Sequence, residues 1–375
     1  MPLRALARVN LAAIERNVAR LNGELVGGAG LCAVVKADGY GHGAVPAAHA
    51  ALAGGATGLA VATADEAAEL RAVGIEQNVL VMGAVSTEEL PTALAADADL
   101  VAWSEQFVRD VVVASGDDGP VRMHVKLDTG MGRLGTRDLE EALRVAELVD
   151  QIGSPLQLAG AMTHFATADD DQAFVAHQLQ AFEPFALEMR RRWPGVVIHA
   201  ANSAATLRAH ASHFDSVRCG IAIYGCDPMN ADPAARQLEP ALELISYVAA
   251  VKRARRGESV GYGRRFTAQR DTWIATLPIG YADGIRRALT NNCDVLVGGR
   301  RYPLVGTVSM DNITADLGAD PDVGIGDVAT IIGTDGAERQ TAEDLARRIG
   351  TINYEIVCGI SRRVPREYHR DGEPI

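Results

Sequence analysis

The sequence predicts an α/β chain, a (β/α)8 barrel of the TIM-like kind followed by a mainly-β domain, on three observations. Short apolar runs alternate with amphipathic helical stretches through the first part of the chain. Eight such units occupy about 230 residues, which suits a closed barrel. Beyond Glu239-Pro240 the alternation gives way to strand patterns separated by turn signals such as Gly298-Gly299.

The expected barrel strands begin near Leu31, Gly58, Asn78, Asp99, Val121, Leu156, Val196 and Ser216. Helical patterns such as residues 64–70 and 139–144 lie between them. Repeated β-then-α units imply parallel strands joined by right-handed crossovers. An open doubly wound sheet is the alternative, and eight units in this length favour closure. The second domain is read from apolar runs at residues 242–248, 273–277, 294–297 and 328–332, with one helical stretch at 342–349. The expected domains are 1–238, which binds a cofactor, and 239–375.

The 375 residues are ample for a sizeable core. A net charge of −12 argues against nucleic acid or an anionic membrane as the main partner. No apolar stretch approaches the ~18 residues of a membrane span, and residues 1–7 lack the apolar core of a signal peptide. Cys32, Cys219, Cys226, Cys293 and Cys358 form no CxxC pair. Scattered cysteines suggest reduced thiols and a cytoplasmic setting. His210 and His213 are close in sequence, but no third ligand stands nearby, so no metal is expected.

The chemistry-bearing residues fall where a barrel places its site, at the C-terminal ends of the strands. Lys36 ends the first apolar run and opens a glycine-rich stretch read as a loop, Lys36-Ala37-Asp38-Gly39-Tyr40-Gly41. A lysine desolvated at such a junction becomes a nucleophile or base; the plainer alternative is a strand-end lysine reaching into water. Lys126 and Arg133 follow the fifth strand, His164 the sixth, Ser203 the seventh, and Arg218, Gly220 and Ile221 the eighth. Each has a plain reading too: Ser203 as the N-cap of a helix over 204–209, Arg218 in a surface ion pair, His164 as a satisfied core histidine. Convergence from five strands favours a site. A hydroxyl and backbone N–H groups after the last two strands suit a phosphate. Together with an amine nucleophile, they suggest pyridoxal 5′-phosphate.

These motifs are similar to those of the alanine racemase family over essentially the full length. Those most specific are residues 34–43, 126–135, Arg218-Cys219-Gly220, Gly261-Tyr262-Gly263, residues 280–284 and Ser309-Met310-Asp311. The resemblance implies that Lys36 anchors the cofactor and is the base on one face of alanine. Tyr262, from the partner subunit of a homodimer, is the base on the other face. Tyr40, Ser203, Gly220, Ile221 and Tyr354 hold the phosphate, and Arg218 hydrogen-bonds the pyridine nitrogen. His164 links Tyr262 to Arg218. Arg133 and the Met310 amide contact the substrate carboxylate, and Tyr281 and Asp311 line the entry corridor. Lys126 matches a position carbamylated in many members, where it steadies Arg133. Ser309 stands where some members have cysteine, and Arg264-Arg265-Phe266 is more basic than in many relatives.

The implied activity is interconversion of L- and D-alanine, supplying D-alanine for peptidoglycan. Three other readings differ from it. A broad-specificity amino-acid racemase is the closer rival. A barrel-type decarboxylase pairs an acid with the pyridine nitrogen, against Arg218. A cofactor-carrying regulatory protein of this fold lacks the second domain.

Overall fold

The computed structural model describes residues 3–116 and 120–375, which cluster into two compact units. One holds Glu15–Gly39 and Ala44–Ile223; the other holds the N-terminal residues up to Ile14, Tyr40–Gly43 and Tyr224–Ile375.

In the first unit, eight strands close a parallel barrel: Gly30–Val34, Gly58–Val61, Val79–Val81, Asp99–Ala102, Val121–Lys126, Leu156–Met162, Val197–Asn202 and Ser216–Cys219. Each starts within a residue of the expected place. Closure is made between the first and eighth strands, where Cys32 registers with Arg218. Near-continuous burial of Gly58–Val61 and Asp99–Ala102 is what strands covered on both faces require. The helices between them start on caps legible in the sequence, among them Thr63 with Glu66, Ser104, Asp138 and Asp171.

The stretch after Lys36 is not a glycine loop. Ala37, Asp38, Gly39 and Tyr40 all take left-handed backbone, with φ of 53°, 54°, 59° and 53°. Left-handed backbone costs an L-residue roughly 1–2 kcal/mol, so consecutive residues persist only when fastened. The Glu66 carboxylate accepts the Ala37 N–H at 2.6 Å and the Ala62 N–H at 2.8 Å. Asp38 Oδ1 accepts the Ala44 N–H at 3.0 Å, and the Gly39 N–H returns to Val35 O at 2.9 Å. This fastened turn fixes where Lys36 leaves the first strand.

In the second unit, Ala5–Asn10 lies inside the larger sheet, antiparallel to Leu242–Tyr247 and parallel to Arg366–Arg370. The sequence-based division gave this strand to the barrel domain, with residues 1–238; its partners lie more than two hundred residues away, beyond the reach of local pattern. A three-stranded sheet contains Ala250–Ala254, Thr272–Leu277 and Ile313–Gly318. The two-residue strands Ser259–Val260 and Phe266–Thr267 pair and bracket Tyr262. Val260 and Phe266 pack against a small core of Ala254, Ala268, Ile274 and Val305. The helix Ala342–Ile349 falls where expected. Among the described residues no helix is long and apolar enough to cross a membrane.

Glu66→Ala should destabilise the barrel unit by on the order of 2 kcal/mol, because it strips charged acceptors from backbone N–H groups. Hydrogen exchange should show the largest loss of protection at residues 36–40; uniform loss across the barrel would contradict the fastening role.

Candidate active site

The barrel brings the five expected strand ends to one rim. Arg218 dominates it. Only 2% of its surface is exposed, and its guanidinium is held by four acceptors. Nη1 donates to His199 Nδ1 at 2.8 Å; Nη2 donates to Thr163 O at 2.7 Å, Ala200 O at 3.0 Å and His164 Nδ1 at 3.3 Å. Burial lowers its pKa to about 10, so it stays charged at neutral pH. The ion-pair reading of Arg218 is therefore wrong: the side chain is interior and bonded to neutral acceptors. Its Nε is buried without a hydrogen-bond partner among the described residues. Cys32, in register with Arg218, and the adjacent Cys219 have thiol pKa values pushed up to about 12 by burial and stay neutral.

His164 is held well below the usual imidazole pKa, first by burial and then by the charges of Arg218, Lys126, Arg133 and Lys36. It is neutral, and because its Nδ1 accepts from Arg218, its proton sits on Nε2.

Lys126 is also buried, at 3% exposure, with a pKa lowered to about 8. Burial is the larger cause; Arg133 and Arg218 add to it, and Asp128 opposes. The loop that follows wraps Asp128, whose carboxylate accepts the N–H groups of Gly130 and Gly132, each at 3.0 Å, and Arg137 Nε at 3.1 Å. These bonds hold its pKa below the usual carboxylate range despite burial and fix the loop that carries the exposed Arg133.

Ser203 is not a helix cap. Asn202 caps that helix through the Ala205 N–H at 3.0 Å. Ser203 Oγ instead accepts the Gly220 N–H at 2.9 Å and the Ala222 N–H at 3.4 Å, drawing the loop after the eighth strand around one hydroxyl.

The second unit carries the remaining candidates. Tyr40 lies beside Tyr354 and Tyr224, with ring centroids 6.1 and 5.2 Å apart. Tyr262, Met310 and Tyr281 are exposed, at 74, 51 and 43%. The Tyr281 and Ala282 N–H groups donate to Ser309 O at 2.9 Å and Met310 O at 3.0 Å, which binds those two motifs together. Gly280 permits this approach, since a Cβ there would lie 2.3 Å from Ser309 O. Asp311 is held by Arg363 at 2.7 Å.

Sequence reasoning missed four residues that shape the site: His199, Asp128, Glu66 and Gln178. His199 could have been found from the period-two alternation of its strand, which turns it inward. Gln178 had no such signal. It is buried mid-helix and donates to Thr129 Oγ1 and His164 O, each at 3.2 Å, while accepting the Ala166 N–H at 2.8 Å. His210 and His213 lie elsewhere: His210 pairs with Glu24, and His213 bonds Thr206 O. Among the described residues no cluster of histidine, cysteine and carboxylate could hold a metal.

Comparison with known proteins identifies the family. Residues 9–228 match the model of the alanine racemase N-terminal domain, and residues 241–368 that of the C-terminal domain. The chain is 39% identical to alanine racemase 1 of Bacillus subtilis, covering 98% of this chain and 93% of that protein. It is 41% identical to the alanine racemase of Geobacillus kaustophilus, covering 97% and 94%. The crystal structure of alanine racemase from Streptomyces lavendulae superposes with a TM-score of 0.92 at 36% identity, covering 98% of each chain. The alanine racemase structure from Bacillus anthracis with bound L-Ala-P gives 0.91 at 36% identity, covering 100% of this chain and 97% of that one. The barrel, the C-terminal sheet and both family models thus converge, and the chain belongs to the alanine racemase family.

Proposed function

We propose that this isomerase interconverts L- and D-alanine with pyridoxal 5′-phosphate, using Lys36 and the Tyr262 of a second copy as bases on opposite faces of the substrate. The observation that carries the reading is Arg218 Nε, a buried N–H donor without a partner among the described residues. It fits the acceptor nitrogen of a pyridine ring. Ser203 and the Ile221 amide suit the cofactor's phosphate, and the resemblance assigns the Gly220 amide and the hydroxyls of Tyr40 and Tyr354 to the same group.

When bound, the cofactor draws electron density from Cα and so acidifies the α-proton. Arg218 limits that withdrawal, because a guanidinium donates a hydrogen bond and does not give up its proton. Lys36 would anchor the cofactor, and its amine would serve as the base on one face of the substrate. A single base would return the proton to the face it came from; two opposed bases racemise. Tyrosine, with a reference pKa of about 10, needs its phenolate favoured. His164 Nε2–H is the donor assigned to that oxygen, and its Nδ1 is held by Arg218. The high exposure of Tyr262, Tyr281 and Met310 supports a homodimer in which these side chains meet the partner.

Lys126 is assigned a carbamate. Its amine lies in the field of Arg133 and Arg218. Carbon dioxide would turn that repulsion into attraction and hold Arg133 for the substrate carboxylate. A cytoplasmic role in supplying D-alanine for peptidoglycan follows from the same reading. Arg218 disfavours the decarboxylase alternative.

Tyr262→Ala should abolish solvent-deuterium exchange at Cα of one enantiomer and leave the other exchanging; equal losses for both would contradict the opposed bases. Inactive Lys36→Ala and Tyr262→Ala proteins, mixed and allowed to exchange subunits, should regain partial activity, whereas no recovery would contradict a shared site. Arg218→Glu should raise pyruvate formed per racemisation roughly tenfold or more; an unchanged ratio would count against its limiting role. Carbamate formation needs the neutral amine, so it should rise as pH passes through about 8. Labelled bicarbonate should then give a carbamate carbon signal in NMR that Lys126→Ala lacks, and no signal at any pH would exclude the carbamate.

A further inference from the structure

We propose that Asp99, His124 and His199 form a one-way hydrogen-bond relay through the barrel interior that holds Arg218 in its donating orientation, making all three positioning residues. The role in turnover rests on the racemase reading above; the direction of the relay does not.

The direction follows from its ends. A guanidinium only donates and a carboxylate only accepts. Arg218 Nη1 donates to His199 Nδ1 at 2.8 Å, so that nitrogen carries no proton. His199 is buried and held well below the usual imidazole pKa, by desolvation first and by Arg218 and His124 next, so it is neutral. Its one ring proton is therefore on Nε2, which lies 2.8 Å from His124 Nδ1. His124 must accept there and carry its own proton on Nε2, 3.3 Å from Asp99 Oδ2. Asp99 Oδ1 receives Arg122 Nε at 2.5 Å, and Arg122 Nη2 reaches Asp97 O at 2.8 Å. Asp99, His124 and His199 are at most 7% exposed. Water does not compete for these bonds, and a reversed proton anywhere would leave two donors facing each other.

The relay spans strands four, five, seven and eight, and the sixth strand makes room for it. Gly160 registers with His124 on one side and Val197 on the other. A Cβ on Gly160 would lie 2.2 Å from His124 Nδ1 and 2.8 Å from Val197 O. Only glycine lets the His124 ring cross to His199, and the rings meet edge to face with centroids 4.9 Å apart. Cutting the relay frees His199 to place its proton on Nδ1. Arg218 then loses an acceptor, and the guanidinium turns away from the direction that its Nε now holds.

The test reads tautomers directly. Nitrogen NMR of histidine-labelled holoenzyme, assigned with His124→Asn and His199→Asn, should show both rings neutral and protonated at Nε2. An Nδ1 proton or an imidazolium at either ring would overturn the proposal. In turnover, His124→Leu should lower kcat/KM at least roughly tenfold, mostly through kcat, while His124→Asn, which returns an acceptor near the lost Nδ1, should recover most of it. Equal losses in both variants, or none, would reject a positioning role. If His124→Leu fails to fold, the tautomers of the unaltered protein and the activity of His124→Asn decide. Were the unaltered holoenzyme not to racemise alanine, the racemase reading would fail while the tautomer result stood.

Discussion

A fixed positive charge inside the barrel organises the site. Arg218 leaves the eighth strand into a space from which water is excluded, and burying a cation there is expensive unless it is hydrogen-bonded. Two backbone carbonyls and two imidazole nitrogens meet that demand. Each acceptor then carries a consequence. Thr163 O ties Arg218 to the end of the sixth strand. His164 and His199 are left neutral with their protons on Nε2. Burial, with the charges of Arg133 and Arg218, lowers the Lys126 pKa to about 8. A donor-only cation thus sets the proton positions of its neighbours without exchanging protons itself.

Around that charge, precision comes from backbone fastened by carboxylates. Glu66 holds the left-handed turn after Lys36, and Asp128 holds the loop that carries Arg133. Both keep strained or irregular segments at one geometry, so the lysine and the arginine leave the backbone from fixed points. The C-terminal unit uses close backbone approach instead, with Gly280 allowing the Tyr281 and Met310 segments to join.

The barrel strands were legible because most are short apolar runs between helical stretches, a pattern set by burial on both faces. Ala250–Ala254 and Arg366–Arg370 were not, since charged residues interrupt both and only one residue of each is buried. Ala5–Asn10 shows the limit of local reading in another way, because its place depends on partners near residues 244 and 367. Within the site, Lys36, Arg218 and Ser203 stood out by residue type at strand ends. Their roles came from resemblance, and their supports did not show. Asp128 looks like an ordinary loop residue until its loop wraps the Gly130 and Gly132 N–H groups onto it, and Gln178 like an ordinary helix residue until the chain folds it onto Thr129, His164 and Ala166. Gly160 matters only for the space above it, which no one-dimensional pattern records.

The central claim is that Arg218 donates to the cofactor's ring nitrogen and leaves it without a proton. Nitrogen NMR of the enzyme loaded with ring-labelled pyridoxal 5′-phosphate tests it most directly. The account predicts the shift of an unprotonated, hydrogen-bonded pyridine nitrogen at neutral pH. A protonated pyridinium signal would contradict it.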